Sequence, residues 1–231
     1  MSSIFTKDFF THMYQRKNFV PRLLLMLFAV ILMGFCLSWL VLCSMGTDPC
    51  TMMNLAISNK IGMAIGDWQA LMNIVLLIFV ILFGGRNLGF GTLGNMFLVG
   101  YSLQFFSWLW GIVLPAGMIT ADGVFASMTL RIVVLFPALI CFTIAAALYM
   151  DVDLGTAPYD AIPYIVWHTI QKKFASIPFF CVRMGYDILV IIIGLLFGGK
   201  FGIITVLMAF ALGPVIELVG KQLQKVIEID D

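Results

Sequence analysis

Gly46-Thr47-Asp48-Pro49 is answered 109 residues later by Gly155-Thr156-Ala157-Pro158, and each tetrad closes a long apolar run. The same offset carries Arg22 onto Arg131, each at the start of such a run. Further on, Phe83-Gly-Gly-Arg86 matches Phe197-Gly-Gly-Lys200, and Gly100 matches Gly213. Matches in the same order at nearly constant spacing mark a duplicated unit.

The medium follows from composition. Of 231 residues, 62% are hydrophobic and 11% charged, and mean hydropathy is +1.07; soluble domains carry about 25% charged residues. The chain is therefore expected to be an all-α membrane protein. A membrane helix needs about 20 apolar residues, and six runs qualify, near 22–45, 67–84, 90–114, 125–150, 178–197 and 201–220. An even count puts both termini on one side. Lys7, Arg16, Lys17, Arg22, Arg86, Lys172, Lys173, Lys221 and Lys225 fall on that side, against Lys60, Arg131 and Lys200 on the other, so both termini are expected in the cytoplasm.

Three spans per half is an odd number, so the second copy must enter from the opposite face. The fold expected is six transmembrane helices as a 3+3 inverted repeat. Its parts are an N-terminal segment over 1–21, repeats over 22–115 and 123–220, and a cytoplasmic tail over 221–231. The first 20 residues, with Phe5, Phe9, Phe10 and Met13 beside Lys7, Arg16 and Lys17, suit a short interfacial helix or a plain tether. The first apolar run is longer than a signal-peptide core and lacks a small-x-small cleavage site, so no cleaved leader is expected.

Each GT-x-P element reads as a helix start. Proline suits the first helical position, where its missing N–H costs nothing, and Asp48 can cap its helix. Asp160 in the first turn of the second copy suits the helix dipole. The helix from Pro49 to Gly62 has 14 residues, about 21 Å against a hydrocarbon core of about 30 Å. Such helices either re-enter the membrane or lie in its interface. Thr51, Asn54 and Ser58 share one face in the first copy; Asp160, Tyr164, His168 and Gln171 share one in the second.

Arg183 and Asp187 stand one helical turn apart near the start of the fifth span, close enough to pair. Ionisable residues at membrane depth are costly and face the bundle interior. Gln69 and Asn73 occupy the equivalent places in the first half, and Gln104 answers Glu217. The candidate substrate site therefore comprises Asp160, Arg183, Asp187, Tyr164, Asn54, Gln69, Asn73 and Gln104. Asp48 and Asp67 are expected at the outer interface, and Trp39, Trp68, Trp108, Trp110 and Trp167 near span ends as interface anchors.

Other chemistries find little support. A net charge of +1 offers no basic field for nucleic acid. Five cysteines without a C-x-x-C pair fit neither a disulfide framework nor a zinc site. Asp151-x-Asp153 is weak as a metal site, so no metal or cofactor is expected. Gly89-Phe-Gly91-Thr-Leu-Gly94 spells G-x-G-x-x-G, but it follows no strand; tight turns and close helix packing explain it. Tyr159-Asp160, Tyr186-Asp187 and Pro137-Ala-Leu139 resemble intramembrane aspartyl proteases only superficially. Those enzymes place one aspartate in Gly-x-Gly-Asp and Pro-Ala-Leu after both aspartates, so no enzyme is expected.

The motifs Gly46-Thr-Asp-Pro49, Gly89-Phe-Gly-Thr-Leu93 with Gly100, Gly155-Thr-Ala-Pro-Tyr-Asp160, Phe197-Gly-Gly-Lys-Phe-Gly202 and Gly213-Pro214 resemble those of the bacterial YczE/YyaS/YitT group of membrane proteins, over about residues 20–220. The resemblance implies a multi-span protein of the bacterial inner membrane. The short tail ending Ile-Glu-Ile-Asp-Asp231 is closer to the YczE type than to YitT relatives with a soluble C-terminal domain. One departure is Ile203-Ile-Thr205, where residues 89–92 carry Gly-x-Gly-Thr, so the second turn is expected to be less tight.

Inverted repeats mark many secondary transporters, with sites near the midplane between the repeats. The function expected is a permease for a small solute, its polar site lying between the GT-x-P helices and the fifth span. The alternative is a non-transporting membrane protein that assists, assembles or regulates a partner. The partners expected are the lipid bilayer and an unidentified small molecule; a homo-oligomer is compatible with the sequence.

Overall fold

A computed structural model describes residues 18–83, 88–174 and 176–226. The N-terminal segment before residue 18, Gly84, Gly85, Arg86 and Asn87, the Glu217 side chain and residues 227–231 lie outside this description. The described residues form helices α1 (Phe19–Cys43), α2 (Pro49–Ile61), α3 (Ile65–Phe83), α4 (Phe90–Val113), α5 (Met128–Asp151), α6 (Pro158–Gln171), α7 (Phe179–Leu196) and α8 (Ile203–Val226), with no strand among them. Six are long and apolar enough to cross a membrane: α1, α3, α4, α5, α7 and α8 through Gln222.

Helix lengths run 25, 13, 19 and 24 residues in the first half and 24, 14, 18 and 24 in the second. The turns before the two short helices share a backbone path. Ser44 (φ 52°) answers Asp153 (φ 48°), and Gly46 (φ 111°) answers Gly155 (φ 114°). Glycine holds the last two angles without the penalty a Cβ would bring, and Pro49 and Pro158 then open their helices.

The long helices α1 and α5 pack together in the centre, α4 lies on α1, and α8 lies on α5. Phe125 N–H donates to the Leu42 carbonyl (2.9 Å) and Arg22 Nη1 to the Val152 carbonyl (3.2 Å). The end of α1 thus meets the start of α5 and its start meets the end of α5, so the pair is antiparallel. The short helices cross between halves: α2 packs on α7, and α6 on α3. One apolar core fills the space among α1, α4, α5 and α8; a smaller one holds Met53, Ile57, Tyr159 and Val190 from α2, α6 and α7.

Apolar side chains such as Leu24, Phe28, Leu82, Phe136, Ile140 and Leu196 cover the outside, as a hydrocarbon solvent requires. The fifth element starts at Met128 rather than 125, because residues 115–127 form a loop with an Ile119–Phe125 bridge and a fully buried Phe125. Trp39 and Trp110 are partly buried and pack against the core. Their rings lie 4.4 Å apart against Phe35, and Trp110 Nε1 donates to Ser38 Oγ (2.8 Å). Trp108 stays exposed.

Candidate functional site

Helix α6 runs back along α7. Trp167 Nε1 donates to the Ile177 carbonyl (2.9 Å), Tyr164 stacks on Phe179 (4.2 Å), Asp160 meets Arg183, and Tyr159 reaches Asp187. The contacts step down α6 as they step up α7, so the N-terminus of α6 lies two turns inside α7 while its C-terminus lies at the start of α7.

At that N-terminus sits the charged cluster. Arg183 Nη1 donates to Asp160 Oδ1 (2.7 Å) and Nε to Asp187 Oδ2 (3.1 Å); the Tyr159 hydroxyl donates to Asp187 Oδ1 (2.7 Å). The guanidinium also lies over the Tyr159 ring (5.4 Å), which packs on Tyr186 (4.9 Å). Asp187 is 4% exposed with both oxygens engaged, whereas the side chains of Asp160 and Arg183 are 34% and 27% exposed. A guanidinium has five N–H donors, so Arg183 keeps donors for a further acceptor beside the open edge of Asp160. That edge can meet a polar solute.

The N-terminus of α2 faces the same charges. Asp48 caps α2, with Oδ1 accepting from the Thr51 N–H (3.0 Å). Rather than lying at an outer interface in water, it is 9% exposed, within electrostatic reach of Asp187 and Asp160. Burial pushes its carboxyl above the usual carboxylate range; Thr51 pulls it back, and the like charges of Asp187 and Asp160 push it further up. Asp67 is exposed and accepts from the Tyr101 hydroxyl (2.7 Å).

The remaining candidates do not join the cluster. Asn54 is buried in α2, accepts from Trp68 Nε1 (3.0 Å) and donates to Cys50 Sγ (3.4 Å). Thr51 and Ser58, on the same face, are also buried, so this stripe is packed in protein. Gln69 presses against Gly100, and Asn73 Nδ2 donates to the Met96 carbonyl (3.3 Å), both between α3 and α4. Gln104 accepts from the Gly66 N–H (3.0 Å) and fastens the start of α3. Tyr164 is 42% exposed. The helix register sufficed to find Arg183 with Asp187. Tyr159 and Asp48 were missed as members, although the Tyr-Asp dipeptide and the capping aspartate flagged both residues.

A cavity of about 400 Å³ lies beyond the cluster, among Ser44, Gly46, Thr47, Asp122, Lys60 and Lys200. Its inner wall is the first GT-x-P turn, so Asp48 follows directly on a lining residue.

Each GT-x-P turn docks on a helix start of the other half. Gly91 N–H donates to the Leu154 carbonyl (2.8 Å), and Ile204 N–H to the Met45 carbonyl (3.2 Å). A Cβ on Gly89 would overlap the Leu154 carbonyl, and one on Gly202 that of Met45. Sequence comparison agrees with this reach across the chain: residues 20–221 match the family of unknown function DUF6198. The uncharacterized membrane protein YczE of Bacillus subtilis is 22% identical over 173 residues, covering 75% of this chain and 73% of its own. An uncharacterized protein of Haemophilus influenzae is 26% identical over 193 residues, covering 84% and 80%. No solved structure matches. The chain belongs to the DUF6198 family of YczE-like, multi-pass membrane proteins.

Proposed function

We propose that this protein is an inner-membrane permease for a small polar solute, built as a 3+3 inverted repeat with both termini in the cytoplasm. The observation that carries the reading is the cross-half seating of the short helices: α2 on α7 and α6 on α3. Two copies of one fold in opposite orientations can exchange conformations and so open a shared site to either side. The antiparallel packing of α1 on its counterpart α5 and the matched turns at Gly46 and Gly155 support the inversion. The path of α6 back along α7 supports re-entrant rather than interfacial short helices, because non-spanning helices at depth need protein around them. The solute meets Arg183 and Asp160; Asp187 and Tyr159 hold the guanidinium in place.

The double ion pair of Arg183 with Asp160 and Asp187 also favours a second reading, a membrane protein that assembles or regulates a partner and uses the cluster to fix helix packing. A thermal-stability screen of purified protein against small metabolites and ions separates the two. A ligand at about 100 times its dissociation constant adds roughly 2.7 kcal/mol. The permease reading expects a stabilising ligand whose effect vanishes in Asp160→Asn and Arg183→Ala while those variants still fold. A wild type that no ligand stabilises, with variants that simply unfold, overturns it in favour of the partner-binding reading.

A further inference from the structure

Arg183 pairs with Asp160 and Asp187, and a third carboxylate, Asp48, stands within electrostatic reach of both of those aspartates. Arg183 is spent on two of them by direct ion pairs, and Tyr159 supplies the remaining donor to Asp187. Asp48 has no such cation. Its Oδ1 takes the Thr51 amide, while its Oδ2 is buried without a hydrogen-bond partner. The charged and titratable groups that act on it are Asp160 from α6, Asp187 from α7 and the Cys50 thiol on its own helix, and Arg183, Tyr159 and Tyr186 stand beside those two aspartates. An ionised third carboxylate here would be buried, unpaired at one oxygen and repelled by two neighbours, and a group so placed neutralises instead. Among the described residues the acids are not gathered closely enough to share a metal ion.

We propose that Asp48 is a proton-binding site at the N-terminus of α2, filled from the cavity on the Lys60–Lys200 face and electrostatically coupled to the Arg183 cluster. The chemistry is simple protonation: water entering the cavity delivers H+ past Thr47, an O–H bond forms at Oδ2, and the carboxylate becomes a neutral acid. Release reverses the step. Any movement of Arg183 toward Asp48, as when a solute displaces it from Asp160, favours the ionised form and expels the proton. Proton binding is a property of the cluster itself; its use to drive solute movement rests on the permease reading.

Stability provides one test. A carboxyl whose proton affinity is higher folded than unfolded stabilises the fold below the unfolded carboxylate's pKa, and that contribution is lost as pH rises through the folded value. Wild-type melting temperature should therefore fall as pH rises above the ordinary carboxylate range, and Asp48→Asn should remove most of the slope and melt higher at the alkaline end. The closing experiment is infrared difference titration of the full-length protein in detergent, in choline chloride and again in sodium chloride. The expected result is a carboxylic-acid carbonyl band that disappears as pH rises, is missing in Asp48→Asn, persists in Asp160→Asn and is unchanged by sodium. A band that survives in Asp48→Asn, or is absent from the wild type throughout, overturns the site. A band that sodium abolishes assigns it to a metal cation instead and overturns the proton. Should Asp48→Asn fail to fold, loss of the wild-type band in Asp160→Asn still overturns the assignment. A missing band leaves the solute screen standing, and a failed solute screen leaves the band to be read.

Discussion

The two docks between the halves are copies in path but not in chemistry. Where the second GT-x-P turn meets the start of α4, Thr92 Oγ1 accepts from the Gly89 N–H (3.0 Å) and donates to the Thr156 carbonyl (2.9 Å). The Tyr149 hydroxyl adds contacts to the carbonyls of Gly155 (3.1 Å) and Gly91 (3.3 Å). Where the first turn meets the start of α8, the equivalent hydroxyl is Thr205 Oγ1. It is fully buried beside Gly46 with no hydrogen-bond partner. The dock at Ile204 therefore keeps its backbone contact and lacks the side-chain bonds. The cavity opens beside this second dock, at Gly46 and Thr47. Close fit made the two docks alike, and hydrogen bonding made one of them tight.

The comparison can be broken most forcefully at the glycines. Gly89→Ala should cost about 3 kcal/mol, near the upper range for overpacking, because its Cβ meets backbone that the Thr92 and Tyr149 bonds hold in place. Gly202→Ala should cost less, since its dock can give way; equal losses of melting temperature in detergent would refute the difference in tightness. Next comes Thr92→Val, expected to cost about 2 kcal/mol because it strands the buried Gly89 N–H and Thr156 carbonyl, with Thr92→Ser recovering most of it. Tyr149→Phe should lower stability by about 1 kcal/mol, one ordinary hydrogen bond. Smallest is Thr205→Val, which keeps the shape and removes an unpartnered hydroxyl. It should be neutral or slightly stabilising, and a loss comparable with that of Thr92→Val would mean that the Thr205 hydroxyl is bonded after all.

The second turn was expected to be less tight from Ile203-Ile-Thr205 in place of Gly-x-Gly-Thr, and the structure shows fewer side-chain hydrogen bonds at that end. The glycine needed for close approach is still present as Gly202, and the slack lies in the hydroxyl network. Helix starts were legible because proline and left-handed glycine leave local marks whatever surrounds them. Arg183 with Asp187 was legible because both lie on one helix face. Asp160 and Tyr159 come from another helix, and no local pattern predicts which turn of α6 meets which turn of α7.

Asp48 shows where sequence reasoning stops. A capping aspartate is the same residue at a wet helix start and at a dry one, and its hydrogen bond to Thr51 is the same in both. Trp39 and Trp110 likewise read as anchors from their positions near span ends, and they pack against the core because α1 and α4 bring their rings together.

The sequence by itself determined the solvent, the six long apolar helices and the two glycine-proline turns, since these follow from composition, length and local backbone preference. Only the tertiary structure decided that the short helices seat on the opposite half, that two carboxylates from different helices pair with one arginine while Asp48 is buried within reach of them, and that one dock carries side-chain bonds while the other does not. Those outcomes depend on which side chains meet across helices far apart in the chain, and no period or motif carries that information.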